Sequence, residues 1–208
     1  APGANITIGK SGSSSTVSVG DHLKSANGID ADRKILVVGA AKDLNTAGNI
    51  SFTNSNKNED HALVIGAADN VMINHDITYD AGNLAIGSGD QTSDSMWIAN
   101  TKITSGGNLA VGSLGTLNIS NTEFMVGQAN LDHYDPDNVY LYANDLIQIN
   151  GLSFSGSKLD DVYMEGKTLN LKDVFMPATA DVMLKSKDGT LHFDTFSAPQ
   201  LGGVNLTN

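Results

Sequence analysis

Three carboxylates fall within six residues in the run Asp132-His133-Tyr134-Asp135-Pro136-Asp137, the best acidic cluster of the chain. Oxygens gathered in this way suit a hard cation such as Ca²⁺, with Asp132, Asp135 and Asp137 as donors. The run has neither the central glycine nor the closing glutamate of an EF-hand loop, and no glycine-aspartate nonapeptide occurs. A solvated polar loop is therefore the plainer expectation, and no cofactor is required. The same holds for Glu59-Asp60-His61 and for Asp90 with Asp94. Gly9-Lys10-Ser11 matches the last positions of a phosphate-binding P-loop. However, five residues separate it from Gly3 where four are needed, and a serine-rich stretch follows in place of a helix. The five histidines (His22, His61, His75, His133, His192) lack ligand spacing and read as solvated or turn residues. No nucleophile elbow, zinc histidine pair or dinucleotide fingerprint appears.

Catalysis on sugars would need a different set. A hydrolase requires two carboxylates facing each other across a cleft, and Asp160, Asp161 and Glu165 are near enough in sequence to consider. Asp161, though, is matched at equivalent places by Asp181, Asn83, Asn108 and Asn138, which points to a turn role. A lyase acting on acidic sugars would need a cation or basic groups beside its carboxylates, and the single arginine, Arg33, lies far from the acidic loops.

What positions these residues is a phrase that the chain keeps restating. It reads Ile35-Leu36-Val37-Val38-Gly39-Ala40, Ala62-Leu63-Val64-Ile65-Gly66-Ala67, Asn83-Leu84-Ala85-Ile86-Gly87-Ser88 and Asn108-Leu109-Ala110-Val111-Gly112-Ser113. It then drifts through Asn138-Val139-Tyr140-Leu141, Asp161-Val162-Tyr163-Met164 and Asp181-Val182-Met183-Leu184 to Gly203-Val204-Asn205-Leu206. The mean spacing is 24 residues, 168 residues over seven intervals. Such a period marks stacked units that cannot bury an apolar face alone. About eight residues after each phrase comes a second apolar-polar-apolar unit, as in Val71-Met72-Ile73 and Leu117-Asn118-Ile119. A third follows, as in Ile77-Thr78-Tyr79 and Val174-Phe175-Met176. Short alternating runs mean strands with one buried and one wet face, and three of them without a helix-length stripe make a triangular coil.

The corners agree. Asn100, Asn121 and Asp173 follow the second strand, with Asn74 and Asn150 one place earlier in their repeats. Asn and Asp tolerate the left-handed backbone that a tight corner needs. In rung rhythm the chain resembles the right-handed parallel β-helix of secreted pectate-lyase-like proteins and of filamentous haemagglutinin or autotransporter-type surface proteins. The resemblance covers roughly residues 35–208 and rests on no diagnostic motif. It implies an all-β solenoid of about seven to eight coils, three short strands per coil. An antiparallel β-sandwich is the alternative, but gives no reason for one phrase to recur in register. Residues 1–34 lack the rhythm and read as an N-terminal capping segment ahead of a β-helix at 35–208. The Val204-Asn205-Leu206 end shows no matching cap, so it belongs to a longer solenoid or meets a partner.

Composition narrows the classes further. At 208 residues the chain is long enough for one continuous core. Its formal net charge is −11, which repels phosphate backbones and anionic lipid and argues against nucleic-acid binding. No apolar run is long enough to insert in a membrane as a helix. Absent cysteine, few basic residues and much Asn, Gly, Ser and Thr point to an exported, extracellular or cell-surface bacterial protein.

With Leu63 and Ile65 inward, the outer row of the first sheet is Val37, Val64, Ala85, Ala110, Tyr140, Tyr163 and Met183, small at one end and aromatic at the other. Tyr140, Tyr142 and Tyr163, bordered by Asp160 and Glu165, are the candidate binding residues, with Trp97 beside Met72 on the second sheet. A large apolar ring with a polar tip suits a sugar or a protein surface. The expected function is a non-catalytic adhesin-like module or structural stalk. Its partner would be a glycan, a surface protein or another copy, met through this face or the uncapped end. The alternative is a carbohydrate-active β-helix (polysaccharide lyase or glycoside hydrolase) or a glycan-binding module.

Overall fold

Alternating burial turns the restated phrases between residues 62 and 184 into strands whose apolar side chains point to one shared interior. A computed structural model describes residues 6–8, 17–18, 35–52, 61–127, 137–178 and 180–197. Two short strands come first, β1 (Ile6–Ile8) and β2 (Val17–Ser18). The first three coils are β3 (Ile35–Ala40), β4 (Leu44–Thr46) and β5 (Ile50–Phe52), then β6 (Ala62–Ala67), β7 (Val71–Ile73) and β8 (Ile77–Tyr79), then β9 (Asn83–Ser88), β10 (Ser95–Ala99) and β11 (Lys102–Ser105). From the fourth coil on, strands run through corners. β12 (Leu109–Ser113) is followed by β13 (Thr116–Met125), and β14 (Asp137–Ala143) by β15 (Leu146–Ser155). Each of the last two coils is a single bent strand, β16 (Leu159–Phe175) and β17 (Asp181–Ser197).

All strand pairing between coils is parallel, and equivalent residues stack. On the first side the column runs Val38, Ile65, Ile86, Val111, Leu141, Met164, Leu184. On the second it runs Leu44, Val71, Met96, Leu117, Ile147, Leu169, Leu191. Ile50, Ile77, Ile103, Phe124 and Phe154 make the third. The chain is therefore a parallel β-helix, and from the first side of β3 to the first side of β17 it makes about six turns. The expected seven to eight coils included 203–206, which lie outside the described residues. Within the segment read as a cap, β1 pairs with β4 and β2 with β5, both parallel, so these pieces extend the second and third sheets. The rest of 1–34 lies outside the described residues.

The interior is aliphatic along its length, with Phe124 and Phe154 meeting edge to face at 5.8 Å. Tyr79 is buried in the same interior, and burial together with the nearby Asp80 charge pushes its hydroxyl up to about 12. His61, at the entry to β6, is fully buried, whereas the lack of ligand spacing read it as a solvated or turn residue. His192 is exposed as expected.

Polar residues at the corners tie coil to coil. Asn83 Oδ1 accepts from the backbone N–H of Asn108 at 2.8 Å, Asn108 Oδ1 from that of Asn138 at 2.8 Å, and Asn138 Oδ1 from that of Asp161 at 3.1 Å. Asn83, Asn108 and Asn138 thus hold the strand entries from coil to coil, and Asp161 takes part through its backbone N–H. Between second and third sides a second column adopts the left-handed backbone: Asn100, Asn121, Gly151, Asp173 and Thr195. Three of the expected corner residues are there. Gly151 takes the place in its coil instead of Asn150, because a residue without Cβ adopts positive φ at least cost. Asn74 lies in a corner one residue shorter, where Ile73 and Ile77 bracket the turn and no left-handed residue is needed. Among the described residues no helix is long and apolar enough to cross a membrane.

Strand phase is testable at adjacent positions. Leu117 is fully buried whereas Asn118 points outward. Leu117→Asp should cost roughly 3–5 kcal/mol and lower Tm by about 10 °C. Asn118→Asp should shift Tm by no more than about 2 °C, and equal losses in thermal melts would contradict the assignment.

Candidate binding face

Strand β14 alternates strictly, with Val139, Leu141 and Ala143 inward and Tyr140 and Tyr142 outward. Parallel pairing sets Tyr140 beside Tyr163 of β16 and Tyr142 beside Glu165. The Tyr140 and Tyr163 rings stack, with centroids 5.5 Å apart and planes inclined by 21°. Tyr140 remains 43% exposed, and its hydroxyl accepts from Asn138 Nδ2 at 3.4 Å. The pair forms as the column pattern indicated.

Tyr142 does something else. Lys187, on the next coil but one, lies 5.0 Å from its ring centroid and donates to its hydroxyl at 3.4 Å. The same ammonium approaches Glu165 Oε1 at 3.4 Å, while Lys185 reaches Oε2 at 3.3 Å. Burial alone would raise the Glu165 carboxyl. The hydrogen bonds and charges of the two lysines outweigh it and hold the group below its ordinary range. On Lys187, burial opposes the charge, but the Tyr142 and Glu165 contacts prevail and raise its ammonium. Glu165 is thus a neutralised member of a lysine cluster rather than a bare acceptor, and Lys187 is the member that sequence spacing missed. Its signal was faint, because Lys187 sits two residues past the in-register partner Lys185 and reaches back across the face.

Asp160 lies where β16 carries an extra residue. Asp137 and Val139 are two apart, while their partners Leu159 and Val162 are three apart. The bulge leaves Asp160 exposed and places Asp161 above Asp181. Burial, then the Asp160 and Asp181 charges, raise the Asp161 carboxyl. Asp160 therefore acts on an acidic pair at the edge of the sheet. Trp97 pairs in register with Met72 on the second side, both partly exposed, so it forms a separate patch rather than joining the tyrosines. Toward the N-terminal coils the first-side face is smooth and open: Val37 and Ala110 are exposed, and a Cβ added at Gly39 or Gly87 would meet nothing within 4 Å.

The acidic run divides. Asp132 and Asp135 lie outside the described residues. Asp137 is buried at the start of β14, its carboxylate 2.8 Å from where a Cβ on Gly127 would sit, and its backbone N–H donates to the Lys158 carbonyl at 3.0 Å. It serves the strand entry. Elsewhere Asp69, Asp90 and Asp94 place carboxylate oxygens within 4.8 Å of one another. Asp94 Oδ2 already accepts from the backbone N–H of Asp90 at 3.1 Å and of Gln91 at 2.9 Å, which holds that loop.

A groove of about 480 Å³ runs along the corner between second and third sides, lined in part by Asn100, Asn121, Glu123, Ser153 and Phe175. Sequence reading passed over it, although the Val174-Phe175-Met176 alternation already turns Phe175 outward. Compared with known proteins, the chain matches no family model, no curated protein and no solved structure.

The lysine cluster has a pH signature. A carboxyl held low when folded adds stability above its unfolded pKa, and loses it as pH falls through the folded value. Lys187→Met should therefore raise the Glu165 midpoint seen by carboxyl NMR, and acid unfolding should lose part of its steepness below the ordinary glutamate range. An unmoved midpoint would break the assignment. As to metal, excess chelator should leave Tm unchanged, and a drop of many degrees that Asp135→Asn abolishes would instead establish a Ca²⁺ site at 132–137.

Proposed function

We propose that this chain is a non-catalytic β-helix module of an exported or cell-surface protein, an adhesin-like element or structural stalk that binds through its first-side face. The observation that carries the reading is the Tyr140–Tyr163 stack, partly open to solvent on a sheet anchored by an aliphatic core. Stacked tyrosines offer a broad amphipathic surface with little side-chain entropy left to lose, which suits a glycan ring or a protein surface. The Lys185–Glu165–Lys187 cluster beside them supplies orienting charge. The composition, without cysteine, poor in Lys and Arg and rich in small polar residues, supports an exported, extracellular setting, and bacterial origin is part of the same reading.

The test is the double variant Tyr140→Ala/Tyr163→Ala. Adhesion to cells or immobilised glycans, or self-association in sedimentation, should weaken by about tenfold or more with Tm essentially unchanged. Clear destabilisation without any binding phenotype would mean that the rings serve packing alone.

A further inference from the structure

Two columns of residues flank the groove between second and third sides. The corner column is Asn100, Asn121 and Gly151, and the strand column beside it is Lys102, Glu123, Ser153 and Phe175, each paired with the next. Successive coils advance by about 4.8 Å, so the groove repeats its polar groups at nearly the step of one sugar unit in an extended glycan.

The charges in it are already matched. Lys102 Nζ lies 3.4 Å from Glu123 Oε2, and Ser155 Oγ donates to Glu123 Oε1 at 2.7 Å. Asp76 Oδ1, at one end, accepts from the Lys102 backbone N–H at 2.7 Å and from Thr101 Oγ1 at 3.1 Å. What the groove offers a ligand is therefore largely neutral: the amides of Asn100 and Asn121, which bond each other at 3.2 Å, and the Ser153 hydroxyl. Phe175, 48% exposed, supplies a flat apolar face at the far end. Between them Gly151 has no side chain, and a Cβ there would lie 3.0 Å from Asn121 Oδ1, so Asn121 packs directly against the Gly151 backbone and its carboxamide is held in place at the groove floor.

We propose that this groove binds an extended, uncharged polysaccharide lying along the solenoid axis, with one sugar ring stacked on Phe175 and hydroxyls bonded to Asn100, Asn121 and Ser153. The net charge of −11 disfavours an anionic polymer, and planar amides with an aromatic face are the groups that pair with hydroxyls and stack on a pyranose. The site is separate from the tyrosine face, on another side of the coil, so either can fail alone.

The experiment is an NMR titration of the full 208-residue chain with hexasaccharides of β-1,4-glucan, β-1,4-mannan and α-1,4-glucan, and with an oligogalacturonate as charged control. At least one neutral hexasaccharide should bind with a Kd of about 1 mM or tighter and shift Asn100, Asn121, Ser153 and Phe175. Phe175→Ala and Ser153→Arg, both outside the core, should weaken it about tenfold with Tm retained. Asn121→Gly keeps the left-handed corner and should weaken it as well. Tyr140→Ala/Tyr163→Ala should leave it unchanged. The proposal is overturned by absence of binding to all three neutral probes, or by equal affinity for the oligogalacturonate. Binding that survives all three groove variants, or that the tyrosine variant removes, overturns it too.

Discussion

Every feature of this molecule depends on one constraint, that each coil lies in parallel register on the one before it. A parallel ladder places a residue directly over its equivalent, so a choice at one position is repeated up the stack as a column. Inward columns must then be apolar wherever no stacked partner satisfies a polar group, because an unpaired one there would have no water. Leu44, Val71, Met96, Leu117, Ile147 and Leu169 obey this, all essentially without exposure. Burying each such side chain contributes roughly 1.5–3 kcal/mol, and no single coil could do so without its neighbours.

The same register makes polar columns cooperative. Where the chain enters the first side, an asparagine carboxamide takes the backbone N–H of the coil above, from Asn83 through Asn108 and Asn138 to Asp161. These bonds satisfy donors at the corner, where the strand ladder is interrupted. Buried hydroxyls act similarly: Ser88 Oγ donates to Ser113 Oγ at 3.0 Å one coil on. Such contacts hold the coils at fixed rotation, and so fix what stands next to what on the outside.

On the outer faces register has a different consequence, since it brings like with like. Small residues stack on small ones from Gly39 to Gly112, and tyrosine stacks on tyrosine where β14 meets β16. Charges meet by the same geometry: Glu165 carries lysine on the next coil and Lys102 carries Glu123, whereas Asp161 stands on Asp181. The binding face and the groove are both products of columns, one within a single sheet and one between the edges of two.

The sequence by itself determined the period, the three strands, the inward columns and the tyrosine pair, because these depend only on alternation and on a constant coil. It also placed Asn100, Asn121 and Asp173 at the left-handed corner, as small polar residues tolerate that backbone. Tertiary structure decided what depends on local coil length and on reach. A shorter early corner excused Asn74 from its expected conformation, and Gly151 displaced Asn150 by one position. Lys187 found Glu165 and Tyr142 because a long side chain can cross from a neighbouring column. His61 became fully buried beside an acidic sequence, and the groove appeared between columns of two different sheets. A one-dimensional pattern records which face a residue occupies, but the distance between faces exists only once the coil has turned its corners.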